Sequence, residues 1–288
     1  MSSPASPGPE AAAERLAARL AALQREVLER LDGQAGPERL ALARPLTPGE
    51  REELGPFAPA AAPVGLEEVQ AVEVRFRGPD GAPRAGRLHV QRWFSQAAIE
   101  ALGGLKPGYA ALCARDPARR DVVADVLAYF RAAWAEPAAT PLHACVPWHW
   151  CAELAAARGV DTDEVAMGLS LSSALALRPV RGTDRWSRHC VGALDLNPRE
   201  NPMLTLSEAG RAAGLSVLAA GPADLAKGRG EVGPAGAGEW CFARDPARSP
   251  LLLHPESWTV RWFRARGWSW GGAWTRLLDW QHFSPGVE

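Results

Sequence analysis

Ser187-Arg-His-Cys-Val-Gly-Ala-Leu-Asp-Leu-Asn-Pro198 sets a histidine and an aspartate, His189 and Asp195, six residues apart beside a glycine and a prolyl turn. A second group with similar chemistry lies near the C-terminus, where the run Asp279-Trp-Gln-His-Phe283 contains His282. Two imidazoles and one carboxylate suit Zn²⁺, and three protein ligands leave a fourth coordination position open for water. The two stretches therefore predict a zinc site of the catalytic type, with a second carboxylate left over.

The composition limits the class of protein. A chain of 288 residues with 47% hydrophobic residues can bury a full core in one large domain or in a domain with an appendage. The formal net charge is −1, and no basic cluster is interleaved with aromatic residues, so no nucleic-acid partner is expected. The first ten residues lack the basic and apolar regions of a secretory signal, and no apolar run reaches the length of a membrane span. We therefore expect a protein that is cytoplasmic or exported by a non-standard route.

The five cysteines are odd in number and contain no C-x-x-C pair, which argues against a disulfide framework and against a thiolate zinc cluster. Reduced and mostly buried thiols are expected. Cys190 follows a proposed metal ligand, but a small buried apolar side chain is the preferred interpretation.

The first 70 residues are expected to form an N-terminal arm. After a disordered start, apolar residues recur at helical spacing from about Ala11 to Asp32, and Gly33 ends the helix. This amphipathic helix could pack on the core or on another chain, and packing on the core is favoured. Residues 33–66 are rich in Pro, Gly and Ala and predict an extended, partly ordered connection.

The main domain is expected to span residues 71–288 and to begin with a β-hairpin. Val72, Val74 and Phe76 alternate with charged residues, and a Gly-Pro-Asp-Gly turn precedes a second alternating run at residues 86–90. Further on, Asp116-Pro117 is expected to cap a core helix that Pro137 ends. The apolar stripe of that helix is Val122, Val126, Phe130 and Trp134.

Residues 143–151 concentrate histidine, cysteine and tryptophan and could, on composition, hold a second metal. No carboxylate lies at ligand spacing on the same element, so aromatic packing around two hydrogen-bonded histidines, His143 and His149, is the preferred interpretation. The tryptophans of residues 258–280 are likewise expected mostly in the core rather than stacked on a glycan.

Residues 171–177 predict a strand that Pro179 ends, with Arg178 at its end. Small residues precede Arg178 on the same face, which suggests room for a ligand, and a guanidinium binds a carboxylate in bidentate fashion. An ordinary surface ion pair is the alternative role for this arginine.

A series of short motifs runs in order through the second half of the chain. They are Arg178-Pro-Val-Arg-Gly182, Trp186-Ser-Arg-His189, Gly192-Ala-Leu-Asp-Leu-Asn-Pro198, Asn201-Pro202, Gly267-Trp-Ser-Trp-Gly-Gly272 with Trp274, and Asp279-Trp-Gln-His-Phe283. Together they resemble the D-alanyl-D-alanine carboxypeptidase family of zinc peptidases. The resemblance covers roughly residues 86–288, with motifs at 178–202 and 267–283, and nothing in residues 1–70 belongs to it.

The resemblance implies a fold, a cofactor and a substrate. The implied fold is α+β, hedgehog/D-Ala-D-Ala peptidase-like, with a small antiparallel sheet that carries a Zn²⁺ site and is flanked by helices. Members cleave bacterial cell-wall peptides as carboxypeptidases, dipeptidases or L-alanyl-D-glutamate endopeptidases, so a peptidoglycan stem peptide or a related D-amino-acid peptide is the implied partner. The Gly- and Ala-rich interval between about Pro202 and Leu253 is then expected to flank the substrate.

The resemblance also implies a role for each motif residue. His189, Asp195 and His282 are implied to be the zinc ligands, and Asp279 the general base. Arg178 is implied to contact the substrate and its carbonyl, with Arg181 as the reserve candidate. Ser187 is implied to contact the peptide or the residues around it. Zinc lowers the pKa of bound water to about 7, and a carboxylate three residues from a ligand can take the water's proton.

Two features depart from the family's pattern. The family usually has one more residue between glycine and alanine in the first motif, whereas Gly192 and Ala193 are adjacent in this chain. The base is aspartate rather than the glutamate that some members use. Neither departure removes a ligand.

Three functional hypotheses remain open at this point. The first is a zinc metallopeptidase acting on peptidoglycan stem peptides, and the second is a catalytically impaired zinc-bearing binding module of the same fold. The third is a partner-binding protein that works through its N-terminal helix, for which deletion of residues 1–70 would leave hydrolysis intact.

Overall fold

The structure is a computed structural model that describes residues 8–106, 108–180, 183–233, 244 and 249–286. It contains α1 (Pro9–Asp32), α2 (Pro48–Leu54), α3 (Gln96–Leu102), α4 (Tyr109–Arg115), α5 (Val122–Ala135), α6 (Ala152–Arg158), α7 (Thr162–Gly168), α8 (Glu208–Ala212), α9 (Pro222–Ala226) and α10 (Trp258–Arg264). Among the helices described, none combines the length and the apolar composition needed to cross a bilayer.

The strands pair into small sheets, and nearly all pairs are antiparallel. They are β1 (Ala41–Pro45), β2 (Val69–Arg77), β3 (Pro83–Gln91), β4 (Trp93–Phe94), β5 (Arg120–Asp121), β6 (Ala144–Cys145), β7 (Leu171–Ser172), β8 (Leu194–Asp195), β9 (Met203–Leu206), β10 (Gly230–Gly233), β11 (Trp268–Trp270), β12 (Leu277–Asp279) and β13 (His282–Pro285). The three-stranded sheets have the orders β1-β2-β3, β10-β9-β12 and β11-β13-β8. β4 pairs with β5, and β6 pairs with β7 in parallel. The predicted α+β class with small antiparallel sheets is confirmed.

The predicted hairpin is β2 and β3, which pair along their full lengths. Gly81 adopts a φ of +76° in the connecting turn, a conformation that favours glycine. α5 lies on one face of this sheet, and its Val126 and Phe130 belong to the same buried cluster as Val72 and Val74 of β2. The apolar half of the strand alternation therefore forms the main core.

α1 covers the opposite face of the sheet. Leu23, Val27 and Leu31 pack in a buried cluster with Ala85 of β3, while the first turns of α1 pack through Leu16 against the region of α6 and α7. The expectation that the helix packs on the core is confirmed. Deletion of residues 1–70 would also remove β1, so the third hypothesis loses its premise that the arm is separable.

The sheet face beneath α1 carries charged residues that are buried. The Glu73 carboxylate on β2 is fully buried and accepts hydrogen bonds from Arg87 at 2.8 Å and Arg44 at 3.0 Å, and Arg30 of α1 lies 3.2 Å from it. Burial opposes ionisation of nearby Glu50, but its hydrogen bonds to Arg44 and the backbone lower its pKa to about 2. This network joins α1, α2 and the three strands through charged groups instead of apolar contacts.

Two local predictions were wrong in detail. Residues 33–66 are more than a connection, because they contain β1 as an edge strand and α2, whose Thr47 and Glu50 form a reciprocal capping box. The cap of α5 is Asp121 rather than Asp116, and its side chain accepts a hydrogen bond from the Ala124 amide at 3.0 Å. The proline after Asp116 therefore marks a turn before β5, not the start of the helix.

Replacing Leu31 with alanine should lower the free energy of unfolding by about 2–5 kcal/mol, because Leu31 is fully buried between α1 and the sheet. Urea unfolding would measure this loss. The matched change Glu29→Ala, at an exposed position of the same helix, should change stability by less than about 0.5 kcal/mol. Equal effects of the two changes would contradict the packing of α1.

His89 and His149 form a buried pair between β3 and the segment before α6. Their rings stack with centroids 5.5 Å apart, and burial lowers the pKa of His89 to about 3 and that of His149 to about 4. Neither ring nitrogen of His89 has a hydrogen-bond partner, and His149 Nε2 lies 3.9 Å from Glu53. The expectation of aromatic packing holds for His149, but that of hydrogen bonding does not. The charged groups facing the pair are Arg19, Arg44, Glu50, Glu53 and Arg87.

Lowering the pH from 7 to 5 should destabilise the fold through these two histidines. Because the unfolded chain binds their protons below about pH 6.5 and the folded chain does not until about pH 3–4, stability is lost as the pH falls through this window. At pH 5 the loss amounts to about 2 kcal/mol for each histidine. Urea unfolding at both pH values should show a pH dependence smaller by about that amount in His149→Gln than in the unaltered protein. Identical pH dependence would rule out the buried neutral pair.

Candidate metal centre

The sheet β11-β13-β8 brings the two separated motifs together. His282, the first residue of β13, lies directly opposite Asp195, the last residue of β8, in the antiparallel register. A bridge between Ser173 and Asp195 continues the pairing on the other side of β8. The predicted small antiparallel sheet therefore sets the positions of two of the three candidate ligands by backbone pairing.

His189 reaches the same place from a short 3₁₀ helix over residues 188–191. Gly192 ends this helix with a φ of +101°, and a Cβ there would lie 2.6 Å from the Val122 side chain of α5. Glycine is thus required both for the backbone conformation and for the close contact. The tight turn compensates for the shorter distance in sequence between His189 and Asp195.

The three side chains converge around the Asp195 carboxylate. His189 Nε2 lies 3.2 Å from Asp195 Oδ2, and His282 Nδ1 lies 3.1 Å from Asp195 Oδ1. One ligand atom from each residue falls within 4.8 Å of the others, and no other such group of three or more His, Cys, Asp or Glu side chains occurs in the described part of the chain. Residues 143–151 contribute to no such group, and His143 instead contacts Glu200 at 3.1 Å.

The second nitrogen of His189 is already committed. His189 Nδ1 donates a hydrogen bond to the Ala174 carbonyl at 2.7 Å, which leaves Nε2 facing the centre. A backbone carbonyl on the far nitrogen is a common way to orient a metal-ligating histidine. Ala174 follows the bridge between Ser173 and Asp195, so the same stretch orients both candidate ligands.

The protonation behaviour of the centre reflects its mixed charges. Burial alone would raise the pKa of Asp195, but the charges of and hydrogen bonds to His189 and His282 hold it below its ordinary value. Burial would lower the pKa of His189, yet Asp195 and the Ala174 carbonyl raise it to about 9. A nearby carboxyl, Asp279, is raised to about 6 by burial and by the negative charge of Asp195.

The donor set fits a divalent cation such as Zn²⁺. Two imidazoles and a carboxylate are ordinary zinc ligands, and three of them leave an open position. His282 Nε2 and Asp279 Oδ1 are both buried without a hydrogen-bond partner. The Asp279 oxygen is therefore free to accept a proton or a hydrogen bond from a group bound at the centre.

A cavity of about 620 Å³ contains these groups together with most of the other predicted site residues. Asp279, at the end of β12, and Arg178 both line it, and so does Ser187. Arg181, the reserve candidate, lies outside the described residues. Strands β9 and β10 supply Thr205 and Glu231 to the wall, so part of the interval expected to flank a substrate does border the cavity.

Ser187 and Cys190, two residues that the sequence analysis discussed, have structural roles beside the centre. The Ser187 hydroxyl accepts a hydrogen bond from the His189 amide at 3.3 Å and so caps the 3₁₀ helix that carries this histidine. Cys190 is fully buried, and burial raises the pKa of its thiol to about 12. Its expected role as a small buried side chain agrees with this environment.

Three cavity residues were not among the site residues predicted from the sequence, although two of them, Trp274 and Gln281, lie within the quoted motifs. The Trp274 ring lies 5.1 Å from the His282 ring, and Gln281 has a buried Oε1 without a partner. Asp163, on α7, contacts Arg178. Gln281 lies in the turn between β12 and β13, and its position directly before His282 was the available signal. Nothing in the local pattern links Asp163 to the site.

An open centre of two histidines and one aspartate, with a further carboxyl beside it, is typical of metal-dependent hydrolases. Residues 181–285 match a family model described as D-alanyl-D-alanine carboxypeptidase. The match confirms the resemblance over this region and supports a peptidase that acts on cell-wall peptides. Comparisons with curated proteins and with solved structures gave no match.

Replacing His189 or His282 with alanine should abolish tight zinc binding, because each change removes one of the three converging candidate ligands. Asp279→Asn should keep one zinc per chain. Zinc content after dialysis, measured by plasma mass spectrometry, distinguishes these results, and His143→Ala serves as a control that removes a histidine outside the centre. Loss of zinc in Asp279→Asn would instead place Asp279 among the ligands.

Proposed function

We propose that the protein is a zinc metallopeptidase that hydrolyses peptide bonds in bacterial peptidoglycan stem peptides, as a carboxypeptidase or an endopeptidase. The observation that carries this proposal is the convergence of His189, Asp195 and His282 in one cavity with a carboxyl and a guanidinium group. The family match over residues 181–285 supports the choice of a peptide substrate. A fold of the hedgehog/D-Ala-D-Ala peptidase type is part of the same proposal.

The proposed ligands are His189 Nε2, an Asp195 oxygen and one nitrogen of His282. The chemistry that zinc supplies when bound is Lewis acidity, which lowers the pKa of a coordinated water and polarises a carbonyl group. The chain's contribution is to fix these side chains before binding, through the β8–β13 pairing and the hydrogen bond from His189 to Ala174.

Asp279 is the proposed general base. Its Oδ1 is buried in the cavity wall without a partner, so it can accept a proton from the attacking water and pass it to the leaving amine. A pKa of about 6 in the metal-free protein suits a group that must take and release a proton near neutral pH. A cation at the centre would favour its ionised form further.

Arg178 is proposed to bind the substrate oxygen on which negative charge develops. Its guanidinium lines the same cavity, and a fixed cationic donor stabilises such an oxyanion more than it stabilises the neutral carbonyl. Ser187 borders the cavity next to His189 and is proposed to contact the peptide, in addition to its capping role. A cavity of about 620 Å³ is large enough for a short peptide.

The alternative is a zinc-bearing binding module of the same fold with impaired catalysis. The shortened spacing between His189 and Asp195 motivated this alternative, but the turn at Gly192 brings the ligands together all the same. The spacing therefore gives no support to impaired catalysis, and the Asp279 carboxyl in the same cavity, with a buried Oδ1 that has no hydrogen-bond partner, favours the peptidase.

The zinc-loaded protein should cleave a defined stem pentapeptide or a dimeric muropeptide, with the products identified by mass spectrometry. Asp279→Asn should keep its zinc and lose about 10²–10⁴-fold in kcat, the usual contribution of a general base. His189→Ala should lose both zinc and turnover. A zinc-loaded protein that binds these peptides without cleaving any of them would instead favour the binding module.

A further inference from the structure

Arg178 does not stand alone in the cavity wall. Its Nη2 forms an ion pair with Asp163, the second residue of α7, and its Nη1 donates a hydrogen bond to the Pro179 carbonyl at 3.2 Å. Asp163 is itself fixed, because its other carboxylate oxygen accepts a hydrogen bond from the Trp148 indole at 2.8 Å. The guanidinium carbon lies 5.9 Å from the Trp148 ring.

The ion pair belongs to the cavity and not to the outer surface. Asp163, Arg178 and Trp148 all line it, and the side chains of the pair are only 27% and 31% exposed. The charges of the pair also influence protonation at the centre. Burial raises the pKa of Asp163 while Arg178 and His189 oppose that rise, and the positive charge of Arg178 acts against protonation of His189.

An unpaired arginine in this position would have other partners. The same cavity contains the carboxylates of Asp195 and Asp279, and a guanidinium that swung onto either would occupy a proposed ligand or the proposed base. A free arginine side chain also has about 2 kcal/mol of rotamer entropy to lose when it binds a substrate. The ion pair with the fixed Asp163 carboxylate addresses both problems, because it occupies the guanidinium and limits its rotamers.

We propose that Asp163 is a positioning residue, whose carboxylate, oriented by Trp148, holds the Arg178 guanidinium on the cavity wall, ready for the substrate oxygen and away from Asp195 and Asp279. The proposal rests on the proposed function, because it assigns Arg178 to the substrate. It adds a residue outside the region that matches the family, on a helix whose Val165 packs in the same buried cluster as Leu16 of α1.

A double-mutant cycle on the zinc-loaded chain of 288 residues tests the proposal. Asp163→Asn keeps the side-chain shape and an acceptor for Trp148, and it should lower kcat by about 10–100-fold, since misplacement of a catalytic group by about 1 Å can cost about 100-fold. KM should change less than threefold. Arg178→Gln should lower kcat by about 10²–10³-fold. The kcat of the double variant should lie within threefold of the kcat of Arg178→Gln, because Asp163 acts only through Arg178.

If Asp163→Asn and Arg178→Gln lowered kcat independently, so that their effects multiplied in the double variant, the proposal would be overturned. An unchanged kcat in Asp163→Asn would also overturn it. Glu153→Gln removes a carboxylate from the neighbouring helix α6, outside the cavity, and serves as the matched control with unchanged kcat. Zinc content and melting temperature show that each variant is folded and loaded. If Asp163→Asn does not fold, Trp148→Phe carries the test, because loss of its N–H should lower kcat by about 3–10-fold and have no effect in the Arg178→Gln background.

Two further measurements do not depend on turnover. A phosphinate dipeptide, which imitates the tetrahedral oxyanion, should bind about 10-fold more weakly to zinc-loaded Asp163→Asn than to the unaltered protein in calorimetry. In the metal-free protein, the ¹⁵N-labelled Nε–H signal of Arg178, assigned by its loss in Arg178→Lys, should shift in Asp163→Asn and not in Glu153→Gln. An unshifted signal overturns the ion pair. A shifted signal with no hydrolysis by the unaltered protein means that the proposed function has failed while the pair stands.

Discussion

The Asp195 carboxylate between two imidazoles is the interaction on which the centre depends. A carboxylate buried without partners would be strongly destabilising, and here His189 and His282 each supply a contact of about 3.2 Å or less. Backbone pairing with His282 on one side and Ser173 on the other fixes where this carboxylate lies. The sheet therefore positions Asp195 and His282, the 3₁₀ helix adds His189, and the three charged or polar groups are concentrated in a partly buried place.

The main core of the fold packs against the turn that carries His189. The β2–β3 hairpin and α5 form the main core, and Val122 of α5 touches the glycine that turns the chain from His189 towards β8. On the other face of the same hairpin, α1 is held by apolar contacts and by the buried Glu73 network. The histidine turn therefore packs against α5, the helix that covers one face of this sheet.

Features with a local signal could be predicted from the sequence. Sequence analysis predicted α1 from the spacing of its leucines and β2 from the alternation of its valines. It also identified the family motifs from short runs of neighbouring residues. Features that depend on distant partners were not. The Pro- and Ala-rich segment hides β1 from sequence analysis, because this edge strand is defined by its pairing with residues 70–74 and has little apolar content of its own. The cap of α5 was misplaced because Asp116 and Asp121 both have capping side chains, and the tertiary structure, through the β4–β5 pairing and the hydrogen bond from Ala124 to Asp121, distinguishes them. Asp163 carries no periodicity that points to Arg178.

The contacts of the histidine turn have a practical consequence for anyone transplanting this region. The segment that matches the family starts at residue 181, yet Ala174 orients its first histidine and Val122 supports its glycine. A chimera joined at the family boundary would leave an imidazole without its acceptor and a left-handed glycine without its neighbour. Exchange between homologous proteins should therefore carry the hairpin, α5 and the region of Ala174 together with the histidine motifs.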